Sequence, residues 1–203
     1  MAPTSSGSCS IDLSNGPFQG RTIFAYTGNM GVAQDMDKIL NLATALKDDD
    51  RVGFVLVGRG SETERLRGEV ARRSLDNVLM FDEIGTKEMG GLYDQVHYGL
   101  VSLSHRHKWH NIPGKFIGYM HAGLPVLATV NPGNDMIDLI EQENVGKAST
   151  DPEGMDLVPL ALELVDAKVE RGGMGQRCCE LAQKLFSADT CAAQIEAALA
   201  EAS

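Results

Sequence analysis

The sequence predicts an α/β protein, a doubly wound parallel sheet of about six strands with extra C-terminal helices. Three observations carry this. Short apolar runs recur along the chain, and Val52–Val57 (VGFVLV) has no polar residue, as in a strand covered on both faces. Amphipathic segments with helical spacing separate the runs. Glycine-rich turns follow the first two runs, where a parallel sheet needs its strand-to-helix connections.

Taken in order, Arg21–Thr27 is the first strand, and Gly28-Asn29-Met30-Gly31 interrupts it. Met36, Ile39, Leu40, Ala43 and Leu46 then share one helical face, and Asp48-Asp49-Asp50 closes that helix as a solvated loop. Val52–Val57 is the second strand. Gly58-Arg59-Gly60 turns into a helix opened by Ser61, with Glu64 three residues on in capping-box spacing. Asn77–Phe81 is the third strand, Thr86–Tyr93 a short helix and Val96–Leu103 the fourth strand. After the polar loop Ser104–Asn111, Pro113 opens a helix ending at Gly123, and Leu124–Val130 is the fifth strand. Asn134–Gln142 reads as a helix and Val145–Ala148 as a short sixth strand. Asp151-Pro152 places an N-cap before a proline, starting a helix to about Val169. Helices over about Met174–Phe186 and Ala188–Ala200 finish the chain.

The 203 residues suit one domain, and 43% hydrophobic with 23% charged residues excludes a disordered chain. A net charge of −10 argues against non-specific nucleic-acid binding. Cys9, Cys178, Cys179 and Cys191 form no C-x-x-C pair and read as reduced thiols of a cytoplasmic protein. No apolar run approaches the ~18 residues of a membrane helix, and MAPTSSGSCS has neither the basic nor the apolar region of a signal peptide. Residues 1–20 are expected to be a linker or boundary segment, and 21–203 the folded domain.

Ligands of such sheets bind outside the carboxyl ends of the strands. Three segments there carry signal. Gly28-Asn29-Met30-Gly31 permits close backbone approach to an anion at a helix N-terminus; equally, it is a tight turn with no ligand. Gly58-Arg59-Gly60 resembles part of a dinucleotide fingerprint, but Thr63 stands at the third glycine and the wrong strand precedes it. Asn111-Ile112-Pro113-Gly114-Lys115 sets backbone N–H groups and an ammonium side by side, a phosphate cradle or an ordinary proline-started helix. His105, His107 and His110 invite a metal, but Arg106 and Lys108 repel one and no carboxylate or thiol completes the set, so no metal site is assigned.

The order of motifs resembles a family. Gly28-Asn29-x-Gly31-x-x-Gln34, Leu56-Val57-Gly58-x-Gly60, Asn77-Val78, Ile112-Pro113-Gly114-Lys115 and Tyr119-Met120-x-Ala122-Gly123-Leu124-Pro125-Val126 look like a retaining glycosyltransferase of the family-4 kind. The match is to the C-terminal, Rossmann-like, nucleotide-sugar-binding half of the two-domain GT-B architecture. The G-N-x-G-x-x-Q variant resembles a subgroup of bacterial surface-polysaccharide (lipopolysaccharide) assembly.

The resemblance implies a nucleotide diphospho-sugar donor, no metal or other cofactor, and a glycan or lipid-linked acceptor held by a missing N-terminal domain. It implies a cytoplasmic protein with at most peripheral membrane contact at the inner face. Lys115 and His110 are then the catalytic candidates. Gly28, Asn29, Gly31, Gln34, Gly58, Arg59, Asn111, Ile112, Pro113 and Gly114 are donor-binding candidates. Phe81, Asp82, Glu83 and Ile84 are expected at the nucleobase. Relatives carry two glutamates eight apart, where this chain has His110 and Gly118; Asp135 or Glu141 are possible substitutes for the carboxylate that meets the donor ribose. Two other readings stand beside this one: a non-catalytic nucleotide-sugar-binding module, and a nicotinamide-dependent oxidoreductase with Asp82 and Glu83 as ribose partners.

Overall fold

A computed structural model describes residues 7–106, 112–167 and 170–190, with residues 192, 196 and 199. Six strands form one parallel sheet: β1 Thr22–Thr27, β2 Val52–Val57, β3 Val78–Phe81, β4 Tyr98–Ser102, β5 Val126–Thr129 and β6 Gly146–Ser149. Their order across the sheet is β3-β2-β1-β4-β5-β6. The helices are α1 Asp37–Ala45, α2 Thr63–Arg73, α3 Met89–Tyr93, α4 Gly114–His121, α5 Asp135–Gln142, α6 Leu157–Asp166 and α7 Arg171–Phe186. Two cores lie on the two sheet faces. One gathers α3, α4, α5 and most of α7; the other gathers α1, α2 and α6. The β1, β2, β4 and β5 residues are all buried, as strands covered on both faces must be.

Strand order reverses between β1 and β4, and there the sheet opens. These strands pair only at Phe24 with Tyr98 and Ala25 with Gly99. Beyond that point their backbone groups need other partners, because an unpaired buried peptide group costs about as much as a lost hydrogen bond. Tyr119 of α4 supplies them. Its hydroxyl accepts from Thr27 N at 3.0 Å and has the carbonyls of Ala25 and Leu100 at 3.2 and 3.4 Å. The ring needs room, and Gly99 provides it: a Cβ there would stand 2.5 Å from the ring.

The glycines after β2 answer to a similar constraint. The β1 and β2 loops run backbone against backbone, with Gly28 N donating to Val57 O at 2.9 Å and Met30 N to Arg59 O at 2.8 Å. Gly58 has φ +151°, and its missing Cβ would sit 1.9 Å from the Gly28 carbonyl oxygen. At Gly60 it would meet Met30 O at 2.3 Å. The G-x-G pair is thus spent on contact between two loops, which removes its support for a dinucleotide fingerprint.

Three expected details differ. Ser61 does not cap α2, whose N-cap is Glu62 with no side-chain cap bond; Glu62 N is already held by Met30 O, and its carboxylate pairs with Arg65 at 2.6 Å. Asp151-Pro152 starts no helix. Asp151 accepts from Glu153 N and Met155 N, Gly154 turns left-handed at φ +69°, and α6 begins only at Leu157. Residues 7–20, expected to be a linker, are seated on the domain: Ile11, Leu13 and Phe18 are buried, and Gln95 bridges Leu13 N and Ile11 O. The helix expected over Ala188–Ala200 lies mostly outside the described residues.

Candidate functional site

The opening between β1 and β4 leads into a cleft of ≈ 330 Å³ at the carboxyl ends of the strands. Its floor is Thr27, Gly28, Val57 and Gly58; Glu83, Ile84 and α3 form one wall, and Gly114, Lys115 and Gly118 of α4 the other. Each part arrives there because a strand ends: β1 and β2 give the glycine floor, β3 the Glu83 loop.

Lys115 dominates the electrostatics. Its Nζ is buried and has no hydrogen-bond partner among the described residues. It stands 3.5 Å from the centroid of the Tyr26 ring, a cation–π contact worth ~0.5–2 kcal/mol. Burial without a carboxylate lowers its pKa to about 7. Tyr26 is kept neutral by burial, and its hydroxyl donates to Asn29 O at 2.5 Å, so one side chain ties the ammonium to the β1 loop. The first turn of α4 contains no acidic residue, which leaves the positive end of its dipole unneutralised. A buried cation beside a helix N-terminus suits an anion with several oxygens, such as a diphosphate.

The candidate residues divide. Gly28, Gly58, Glu83, Ile84 and Gly114 line the cleft with Lys115. Pro113 is the N-cap of α4, in extended conformation, and Ile112 packs against the core. Asn29 and Gln34 lock the β1 loop instead of facing the cleft: Gln34 Oε1 accepts from Asn29 Nδ2 and Gly31 N, both at 3.1 Å. Gly31 borders a second depression, of ≈ 360 Å³, shared with Lys38, Arg65, His105 and Arg106. Phe81 packs against the core, and Asp82 is held at 2.7 Å by Arg67 of α2; neither lines the cleft. Arg59 does not line it either, and pairs with Glu83 at 2.6 Å. Asp135 and Glu141, on α5, are absent from its lining. His110 and Asn111 lie outside the described residues, as do Lys108, His107 and Trp109.

Sequence reasoning missed Thr27, Thr86, Met89 and Tyr93. Thr27 Oγ1 lies 3.1 Å from both the Tyr93 and Tyr119 hydroxyls, and the two rings meet edge to face at 5.5 Å. No periodicity marks these residues; only the convergence of β1, α3 and α4 brings them together. Among the described residues no three His, Cys, Asp or Glu side chains are placed to hold a metal ion, and no helix is long and apolar enough to cross a membrane.

A sequence model of the family described as glycosyl transferases group 1 matches residues 21–156, from just before β1 into the β6–α6 loop. The chain belongs to the glycosyl transferases group 1 family. Among curated relatives, the probable glycosyltransferase WbjE of Pseudomonas aeruginosa is 22% identical over 129 residues, 64% of this chain and 32% of WbjE. HepE of Anabaena, solved with UDP, superposes with a TM-score of 0.75 at 15% identity over 91% of this chain and 50% of HepE. The C-terminal domain of the group 1 protein LpcC from Francisella tularensis gives 0.68 at 13% identity, over 90% of this chain and 97% of that domain. The chain therefore spans about a third of WbjE and half of HepE, and nearly all of an isolated C-terminal domain. The fold is that of GT-B glycosyltransferase domains.

Proposed function

We propose that the chain is the donor-binding half of a retaining, family-4-like glycosyltransferase that moves a sugar from a nucleotide diphospho-sugar to a glycan or lipid-linked acceptor. The observation that carries this reading is the buried Lys115 ammonium, without a hydrogen-bond partner among the described residues, at the acid-free start of α4 in a cleft at the carboxyl ends of the strands. HepE crystallised with UDP and with UDP-glucose supports the choice of ligand class. The chemical task is to stabilise the charge that develops on the departing diphosphate, and pre-placed cations and N–H donors perform it without reorganisation. Lys115 and the N-terminus of α4 meet the phosphates in this reading, and no metal ion is invoked. The acceptor is held by a domain outside this chain, which works on the cytoplasmic side, at most peripherally on the membrane, in surface-polysaccharide or lipopolysaccharide assembly. Titration calorimetry with UDP, UDP-glucose and GDP tests this. Micromolar binding of one of them is expected, and a folded protein that binds none overturns the reading.

A second reading, a non-catalytic nucleotide-sugar-binding module, is favoured by one observation. Gly118 leaves the α4 wall of the cleft without a carboxylate. The space is open: among the described residues beyond its own helix, a Cβ at Gly118 would have the Tyr93 hydroxyl nearest, at 3.9 Å. Gly118→Glu is therefore expected to fold and to tighten UDP binding about tenfold, the value of one good hydrogen bond to a carboxylate. Unchanged affinity in calorimetry counts against this placement of the ligand.

A further inference from the structure

One wall of the cleft is a helix that its own sequence does not sustain. α3 is five residues long, Met89-Gly90-Gly91-Leu92-Tyr93. A helix this short is marginal in water, and glycine is among the weakest helix formers. Even so, Met89 and Tyr93, four residues apart and thus on one face, both line the cleft. The Tyr93 hydroxyl lies 3.1 Å from Thr27 Oγ1 of β1. What keeps α3 in this place must come from outside the helix.

Residues 7–13, none of which lines the cleft, supply that support. The Glu88 carboxylate, at the N-cap of α3, accepts from Ser10 N at 2.8 Å and from Gly85 N at 3.2 Å. Just past α3, the Gln95 amide accepts from Leu13 N at 2.8 Å and donates to the carbonyls of Ile11 and Gly91, both at 2.9 Å. Ile11 and Leu13 are buried in the same core as Leu92. Between these fastenings the two backbones touch. A Cβ at Gly91 would stand 2.1 Å from Gly7 O and 3.1 Å from Cys9 Cβ, whereas one at Gly90 would have nothing within 4 Å. Gly91 is therefore the glycine that lets the segment lie against α3.

We propose that residues 7–13 are a strap that holds α3 as the wall of the cleft, with Glu88 and Gln95 as positioning residues, and that strap seating and nucleotide binding favour each other. The inference rests on the nucleotide reading above. Its physical basis is linkage. A ligand that needs Met89 and Tyr93 in place binds the strapped form better, so it must also stabilise the strap, and the two effects are equal in size. The Ser10–Glu88 bond is exposed, and such contacts open locally at low cost, which makes the strap responsive to the ligand.

Hydrogen–deuterium exchange and calorimetric titration with UDP test it in wild type, Gly91→Ala and Gly90→Ala. In wild type, saturating UDP is expected to slow exchange at the Ser10 and Leu13 amides about tenfold, a usual size for coupling between sites. Gly91→Ala, whose Cβ has no room beside Gly7, should free both amides and weaken UDP binding by the reciprocal factor, about tenfold. Gly90→Ala should keep both amides protected and UDP affinity within about twofold of wild type. Wild-type strap amides that ignore bound UDP overturn the proposal and leave the nucleotide reading standing, and this result decides the question even if Gly91→Ala does not fold. A Gly91→Ala protein that releases the strap yet binds UDP normally overturns it too, as do equal losses in the two variants, which trace to α3 alone. Wild type that is folded yet binds no UDP overturns the nucleotide reading and this proposal with it.

Discussion

Lys115→Met weakens UDP binding at least a hundredfold at pH 7, removes its pH dependence and makes the free protein more stable. The three effects share one cause. The Lys115 ammonium is desolvated, faces the Tyr26 ring and has no hydrogen-bond partner among the described residues, and its pKa falls to about 7. In the unfolded chain the lysine stays protonated to ~10.5. Between about pH 7 and 10.5 the unfolded state therefore binds more protons, and stability rises with pH across that window. Below pH 7 both states are charged, and the fold carries the whole cost of the buried cation. At about 1.4 kcal/mol per pH unit that cost has an upper bound of ~5 kcal/mol; methionine of similar length removes most of it. Thermal melts should show the variant most stabilised at pH 6 and the difference fading towards pH 10.

Binding reverses the order. A diphosphate beside Nζ favours the ammonium, so the free protein must take up a proton to bind once the pH exceeds 7. Wild-type affinity should fall by up to tenfold per pH unit from pH 7.5 to 9, and calorimetry in buffers of different ionisation heat should register uptake of about one proton. Truncating one partner of a buried charge pair costs ~2–5 kcal/mol, which sets the hundredfold figure. A Lys115→Met protein that binds UDP normally removes Lys115 from the site.

Gly58→Ala lowers stability by ~3–5 kcal/mol, through overpacking that backbone atoms cannot relieve. The added Cβ would lie 1.9 Å from the Gly28 carbonyl oxygen and 2.9 Å from its carbon, and φ +151° is a conformation that L side chains rarely adopt. Relief requires the β1 and β2 loops to separate, breaking Gly28 N to Val57 O and moving the floor of the cleft. Gly68→Ala is the matched control. Gly68 lies within α2 with nothing near its missing Cβ, so alanine should stabilise by ~0.5–1 kcal/mol. Urea denaturation of both variants separates steric exclusion at Gly58 from a general response to lost glycine; equal shifts would sink the argument.

Much of the fold is legible in the chain because periodicity reports burial directly. Met36, Ile39, Leu40, Ala43 and Leu46, which share a face on helical spacing, are all buried, and Val52–Val57 is buried at every position. Asn134, read from sequence as the first residue of a helix, stands one position before it as the N-cap, and its side chain accepts from Met136 N at 2.9 Å. Local capping signals mislead where tertiary contacts claim the same groups first. Ser61 lost its cap role once Glu62 N was taken by Met30 O, and Asp151 closed a turn of its own instead of starting α6.

The site was legible in part. Gly28, Glu83, Ile84, Gly114 and Lys115 follow from looking after strand ends, a rule of topology that any parallel sheet obeys. Asn29, Gln34 and Gly60 carry equally strong patterns but serve loop geometry, and a pattern of residue types does not distinguish a phosphate from a neighbouring backbone as the thing approached.

By itself the sequence determined the class of sheet, the order of its elements and the end of the strands at which the candidate cleft lies. Those depend on hydrophobic periodicity and turn residues, which are local. The tertiary structure alone decided that the Lys115 ammonium is buried with no hydrogen-bond partner among the described residues, that Tyr119 fills the gap between β1 and β4, and that Arg59 pairs with Glu83. Each of these joins residues far apart in the chain, and desolvation, orphaned backbone groups and charge pairing exist only once distant elements have packed together.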